Sequence, residues 1–265
     1  MKHDFLDQYS YHDSPVHRLD PRVKLIATLA FVLAVTATPS YAWPAFALLL
    51  AVVLGLIWAA RLPLIVALRR SLIAIPFSLM VALSLPFTTA GEPLFQLPVF
   101  SWTLTVTDQG LLRFWSVVLK AWISVLAVVL LTATTRFVEL LQALKSLGMP
   151  KVMVSVISFM YRYIFVLTDE AMRLVMARDA RSANPDGRGG GTLGWRARVL
   201  GGMIGTLFLR SYERSERIYA AMLSRGFAGE IRTLGQPSLQ LRDAIILTAL
   251  LALLLGVELM AHTRW

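Results

Sequence analysis

Two arginines in this 265-residue chain stand in a setting suited to docking. Ala180-Arg181-Ser182 and Ser224-Arg225-Gly226 each hold an arginine between small residues, just before a helix break. Small neighbours let the backbone approach a surface closely, and arginine brings five donors in a rigid fork. That combination fits a groove on another protein. The plainer reading is helix-end electrostatics, since a cation at a helix C-terminus stabilises by ~0.3–1 kcal/mol. Recurrence at two corresponding helix ends favours docking.

Other residues invite sharper chemistry and mostly decline it. His3, His12 and His17 are spaced by nine and five, which puts them on no common helix face, and the chain has no cysteine. We assign no metal ligands. Gly189-Gly190-Gly191-Thr192-Leu193-Gly194 formally matches G-x-G-x-x-G, but it lies in a polar linker with no strand before it. A hinge fits better than a dinucleotide site. No Gly-Lys pair occurs anywhere, so a P-loop is excluded and any ATP must be bound by a partner. No catalytic residues and no cofactor of this chain's own are expected. Arg162, Asp169, Glu170 and Arg173 read either as a relay or as ordinary ion pairs along a helix. Lys120 sits in an apolar stretch and needs either a partner or a route to water.

The elements that carry these residues follow from composition. Hydrophobic residues make up 57% and charged residues 16%, with mean hydropathy +0.64, well below the ~25% charge of soluble domains. No charged side chain occurs between Lys24 and Arg61, or between Arg70 and Glu92. Such runs are long enough to cross a ~30 Å hydrocarbon layer. The fold expected is an all-α membrane protein with about five transmembrane helices. Prolines 39 and 44, with Tyr41 and Trp43, divide the first run into spans over 23–38 and 43–60. Further spans are expected at 64–87, 110–134 and 243–261. Within the connection 88–109, the alternating stretch 99–106 fits a short strand or loop. The first 22 residues lack an apolar core of the signal-peptide type.

Charge sets the orientation. Loops 39–44 and 88–109 hold no lysine or arginine, whereas residues 136–242 hold 16 of the 26 basic residues. The positive-inside rule then puts the N-terminus in the cytoplasm and the C-terminus outside. Four regions result: a cytoplasmic segment 1–22, a four-span domain 23–135, a cytoplasmic segment 136–242 and a last span 243–265. The net charge of +10 fits anionic lipid or an acidic protein surface rather than nucleic acid.

Segment 136–242 reads as three helices, about 136–147, 150–182 and 195–225, with the linker 186–194 before the third. Residues 152–167 are apolar enough to lie partly in the membrane, yet contain Arg162; a packed or interfacial helix is expected there. In the third helix Ile204, Phe208, Tyr212, Tyr219 and Leu223 form an apolar stripe, and Glu213 and Arg217 are spaced i, i+4. A soluble helix covering a core would explain the stripe.

The paired small-Arg-small motifs, preceded by spans and by His17-Arg18-Leu19-Asp20-Pro21-Arg22-Val23-Lys24, resemble the transmembrane T component (EcfT) of energy-coupling factor (ECF) transporters. Residues 161–170 (YRYIFVLTDE) and 221–227 (AMLSRGF) are similar, more narrowly, to CbiQ, the cobalt-system member tied to cobalamin biosynthesis. The resemblance implies a non-catalytic subunit of an ABC importer in the bacterial inner membrane. It implies ATPase coupling through Ala180, Arg181 and Ser182 and through Ser224, Arg225 and Gly226. Ser182 and Ser224 depart from the family's usual Ala-Arg-Gly pattern. Implied partners are a pair of ABC-type ATPases that bind ATP, and a CbiM-like membrane capture subunit with a small CbiN-like subunit. Nickel or a vitamin is the alternative cargo. A lipid-modifying membrane enzyme would need paired carboxylates or a histidine cluster beside a span. None of the 16 acidic residues forms a D-x-x-x-D pair there, and the spans are too aliphatic for a channel.

Overall fold

A computed structural model describes residues 14–91, 93–99, 102–181, 192–229 and 240–263. The chain divides into two compact units. One is a helical bundle built from the chain up to Ala143 and from Gln236 on; the other is Leu144–Gly235.

The bundle begins at a capped helix. Asp20 accepts from the Arg22 backbone N–H at 2.8 Å, and Pro21 supplies the preset φ of a first helical residue, starting α1 (Pro21–Ala37). His17, in the turn before it, lies with Nδ1 2.7 Å from the Ser14 hydroxyl. The proline-bounded break falls where expected, and α2 (Trp43–Ala59) follows. With 17 residues each, α1 and α2 are about 25 Å long, at the short end for a span.

The third expected span is not one regular helix. It consists of α3 (Leu64–Ser71), α4 (Ala74–Ala82) and α5 (Leu85–Thr88), within one apolar stretch Leu64–Thr88 of 25 residues. Pro76 and Pro86 have no N–H for the carbonyls four residues earlier, Leu72 and Ala82, and the helix breaks beside each. Leu72 O instead accepts a tighter bond from Ile75 N at 3.1 Å. The connection that followed as strand or loop is an antiparallel hairpin, β1 (Pro93–Val99) and β2 (Trp102–Thr107), with Gln96 opposite Thr105.

Thr107 then caps α6 (Asp108–Thr134) by accepting from Gly110 N at 3.2 Å. Gly110 lets α5 pass close by: a Cβ here would lie 2.8 Å from Pro86 Cα and 3.0 Å from Leu85 O. The last helix, α10 (Leu241–Thr263), completes the bundle. Its core joins Phe31 and Val35 of α1, Leu49 and Val53 of α2, Ile123 and Leu126 of α6, and Leu254 of α10.

Polar ties close both ends of this apolar core. At one end the buried Lys24 ammonium donates to the Thr134 carbonyl at 2.9 Å and the His17 carbonyl at 3.1 Å. It thereby satisfies an orphan carbonyl at the C-terminus of α6. Asp20, Glu139 and Asp243 supply the surrounding negative charge. At the other end Lys120 donates to Thr36 O at 2.9 Å, 6.0 Å from the Phe46 ring centre. Lys120 has therefore found its partner at the end of α1. Nearby, Thr38 Oγ1 donates to the Glu258 carboxylate at 2.6 Å, an intramembrane acid the sequence reading passed over.

These ties fix directions. Residues 24 and 134 meet, as do 36 and 120, so α6 runs antiparallel to α1. Asp243 shares the Lys24 end and Glu258 the Thr38 end, so α10 runs parallel to α1. The chain thus leaves α6 and re-enters α10 at the same end of the bundle. Between them, among the described residues, Lys151–Arg181 is the helix long and apolar enough to cross a membrane by length and composition.

Replacing Lys24 with methionine strands two carbonyls and several acids around one buried site. We expect a loss of ~2–4 kcal/mol and a clearly lower unfolding midpoint in detergent. Thermal unfolding of the purified chain checks this; an unchanged midpoint would show that the tie contributes no stability.

Candidate functional site

The second unit holds the arginine motifs on two long helices. The short helix before them, α7 (Phe137–Ser146), stops in a Schellman turn: Gly148, at φ +103°, donates to Lys145 O, and Met149 N donates to Leu144 O. Pro150 follows, and α8 (Lys151–Arg181) begins. After the linker Thr192 caps α9 (Leu193–Ser224), accepting from Trp195 N at 3.4 Å. Thr192-Leu193-Gly194, the end of the G-x-G-x-x-G match, therefore forms a helix start, preceded in the fold by a helix rather than a strand. All three expected helices are present within a few residues of their expected bounds.

The end of α9 repeats the Schellman turn. Gly226, at φ +80°, donates to Leu223 O at 3.0 Å, and Phe227 N donates to Met222 O at 3.0 Å. Only glycine accepts this left-handed φ without strain. The turn sends the chain back onto α8, where Phe227 meets Phe159 edge to face at 6.1 Å and the Ser155 hydroxyl donates to Gly229 O at 3.2 Å. Arg225 is thus anchored beside the first third of α8. Arg181 stands at the far end of the same helix, about 33 Å beyond Phe159 at ~1.5 Å per residue. The two motifs occupy opposite ends of one antiparallel hairpin.

Both arginines are exposed, as are Ala180, Ser224 and Gly226, and neither guanidinium has a hydrogen bond or ion pair among the described residues. Ser182 lies outside the described residues, as do His3 and His12. Neighbouring arginines are committed elsewhere. Arg178 is held by Asp179 at 2.6 Å, and Arg210 by Glu170 at 2.7 Å. The last pair crosses from α9 to α8, with Arg173 adding a contact to Glu170 at 3.8 Å. Of the four charges first read as a relay or as helix-surface pairs, Glu170 instead links the two helices. Its partner Arg210, forty residues away, could not be picked out by local spacing. A groove of about 770 Å³ runs along this junction, walled by Glu170, Arg181, Trp195 and Arg210 among others.

One expectation is corrected. The Ile204-Phe208-Tyr212-Tyr219-Leu223 stripe covers no core: these side chains are 50–68% exposed. The half-buried row is one residue over, at Val199, Met203, Leu207, Ser211, Ile218 and Met222. Two apolar rows run side by side on α9, and spacing alone does not say which faces inward. In the apolar first half of α8, expected as a packed or interfacial helix, Val154 and Ser155 are buried and the remaining side chains are half-buried or exposed. Glu213 and Arg217, at i, i+4, form no ion pair.

Fold and site together define a helical membrane scaffold that presents arginine tips and bare apolar rows. Among the described residues no group of three or more histidines or acids could hold a metal. The family profile of CbiQ, described as a cobalt transport protein, matches residues 12–237. The energy-coupling factor transporter transmembrane protein EcfT of Bacillus selenitireducens is 32% identical over 257 residues, covering 93% of this chain and 92% of that one. Its counterpart in Heliobacterium modesticaldum is 33% identical over 252 residues, covering 89% of each. A putative ABC transporter ATP-binding protein of Bifidobacterium longum is 31% identical over 236 residues, covering 83% of this chain but 28% of that protein. The chain belongs to the CbiQ/EcfT family of transmembrane components of energy-coupling factor transporters, non-catalytic subunits of a membrane transporter.

The Glu170–Arg210 pair is testable by charge reversal. Glu170→Arg or Arg210→Glu alone puts like charges across the hairpin and should cost ~0.5–1 kcal/mol of hairpin docking. The double reversal should recover it. Protease protection of α9 in the purified protein reads this out; no recovery in the double variant would remove the pair from the account.

Proposed function

We propose that this chain is the coupling subunit of an ECF-type ABC importer for cobalt ion. It passes the ATP-driven motion of two ABC-type ATPase subunits to a separate membrane subunit that captures the cargo. The observation that carries this reading is the pair of exposed arginine tips, Arg181 and Arg225, without a partner among the described residues and at opposite ends of one hairpin. Ala180 with Ser182, and Ser224 with Gly226, keep each tip slim enough to enter a groove. A guanidinium there offers bidentate, charge-assisted bonds to carboxylates or carbonyls of the ATPase.

Other features support the same reading. The matching region occupies 28% of a protein named for ATP binding, which favours pairing of this fold with an ATPase. With no Gly-Lys pair in this chain, ATP is held by the partners. The basic segment 136–242 favours a cytoplasmic face for the hairpin, with the N-terminus inside and the protein in the bacterial inner membrane. The exposed Ile204–Leu223 row offers apolar surface to the capture subunit, CbiM-like with a small CbiN-like companion, and to lipid at the bilayer face. The description of the family profile favours cobalt over nickel or a vitamin.

In this mechanism closure of the ATPase pair moves one tip relative to the other. The Gly226 turn and the Phe159–Phe227 contact hold the Arg225 end to α8, so the displacement tilts the hairpin as one piece. That tilt reorients the capture subunit.

Arg181→Ala and Arg225→Ala should each lower cobalt uptake by about tenfold, as loss of a charge-assisted bond of ~1.5–3 kcal/mol would. Membrane insertion should be unaffected. Uptake of labelled cobalt by cells expressing the whole transporter checks this. Normal uptake in the double variant would sink the coupling role, and preferential uptake of nickel would reassign the cargo.

A further inference from the structure

A second basic feature belongs to the bundle and plays no part in the coupling role. At the end of the bundle where α1 and α10 begin, a cavity of about 500 Å³ is lined by Arg18, Arg61 and Arg242. These come from three separate places: the turn before α1, the α2–α3 junction and the first turn of α10. Among the described residues no acidic side chain lines it; Asp20 and Asp243, next to it in sequence, are buried and take no part in its wall. The rest of the lining is largely apolar, with Leu19 and Ile246 among it.

The backbone at Arg61 makes this cavity more than a chance gathering of charge. The α2 helix ends as α7 and α9 do, in a Schellman turn: Arg61 N donates to Trp58 O at 2.9 Å and Leu62 N to Ile57 O at 3.2 Å. Gly148 and Gly226 fill the left-handed position of the other two turns. Here that position is held by arginine at φ +54°, the sole non-glycine residue with positive φ among the described residues. Glycine would make the turn without strain, so the turn itself does not call for arginine. What arginine adds is a guanidinium aimed from the end of a span. Among the described residues the Arg61 guanidinium has no ion pair, and Arg242 has a single 3.4 Å bond, to Gln240.

We propose that this cavity binds the phosphate-bearing headgroup of an anionic phospholipid. Arg61 and Arg242, from two separate segments, converge on a phosphodiester, while Leu19 and Ile246 take the first methylenes of the chains. The apolar lining distinguishes this ligand from free phosphate, which would gain nothing from it. The location matches: the cavity lies where spans end, and the neighbouring Trp58 is 79% exposed, as an interfacial aromatic side chain is. Such a lipid would clamp the starts of α1 and α10 to the end of α2.

The test uses the purified full chain in mixed micelles, with thermal unfolding followed on addition of phosphatidylglycerol, phosphatidylcholine or inorganic phosphate. Phosphatidylglycerol should raise the midpoint by about 5 °C near saturation, and the other two should not. The double variant Arg61→Gly, Arg242→Gln should lose that rise. Arg61→Gly retains the turn and relieves its strain, so the variant's own midpoint without lipid checks that it folds. An equal rise with phosphatidylcholine, or an undiminished rise in the double variant, would overturn the site. An equal rise with inorganic phosphate would overturn the lipid assignment.

Discussion

A helix of 32 residues that buries none of them cannot owe its position to its own chain's core. That is the state of α9, and α8 is scarcely better covered, with two buried residues in 31. Helices in globular proteins are stabilised chiefly by burying an apolar face. Among the described residues the attachments across the hairpin include an ion pair, an aromatic contact and a side-chain hydrogen bond, each of ~1 kcal/mol. It is built to be finished by something else. Its bare apolar rows and its free arginine tips are two aspects of that one condition.

The bundle solves the opposite problem. Its middle is aliphatic, and its charged ties stand at the two ends of α1, where Lys24 and Lys120 each meet a backbone carbonyl. Charges so placed avoid the cost of the hydrocarbon centre while joining helices that are far apart in sequence. They also record direction. Because α1 and α6 are antiparallel and α1 and α10 parallel, the long excursion between α6 and α10 returns to the side it left.

Much of this was legible in the sequence, and the failures have physical causes. A charge-free run divided by prolines and interfacial aromatics marked α1 and α2, and long apolar stretches marked α6 and α10, because hydrocarbon tolerates few alternatives. Gly-then-Pro and Gly226 marked the ends of α7 and α9, because the left-handed turn selects glycine. The third span was placed over 64–87 but its breaks were not: the effect of Pro76 and Pro86 falls four residues upstream, on carbonyls that look ordinary in sequence. The stripe on α9, which a core-covering helix would explain, covers none, because two apolar rows differ by one residue, about 100° of helix. Glu170–Arg210 and Thr38–Glu258 were invisible, since no local rule couples residues 40 or 220 positions apart. Arg61 gave no signal at all; only its backbone angle sets it apart from other interfacial arginines.

The central claim is that the two ends of the hairpin engage ATPase subunits while its apolar row does not. Site-specific photo-crosslinking in native membranes tests it directly, with a crosslinking residue placed in turn at positions 181, 225 and 208 of the chain expressed alongside its ATPases. The expected result is an adduct to an ATPase subunit from 181 and from 225, and none from 208. Absence of ATPase adducts at both 181 and 225, with expression and insertion intact, would contradict it.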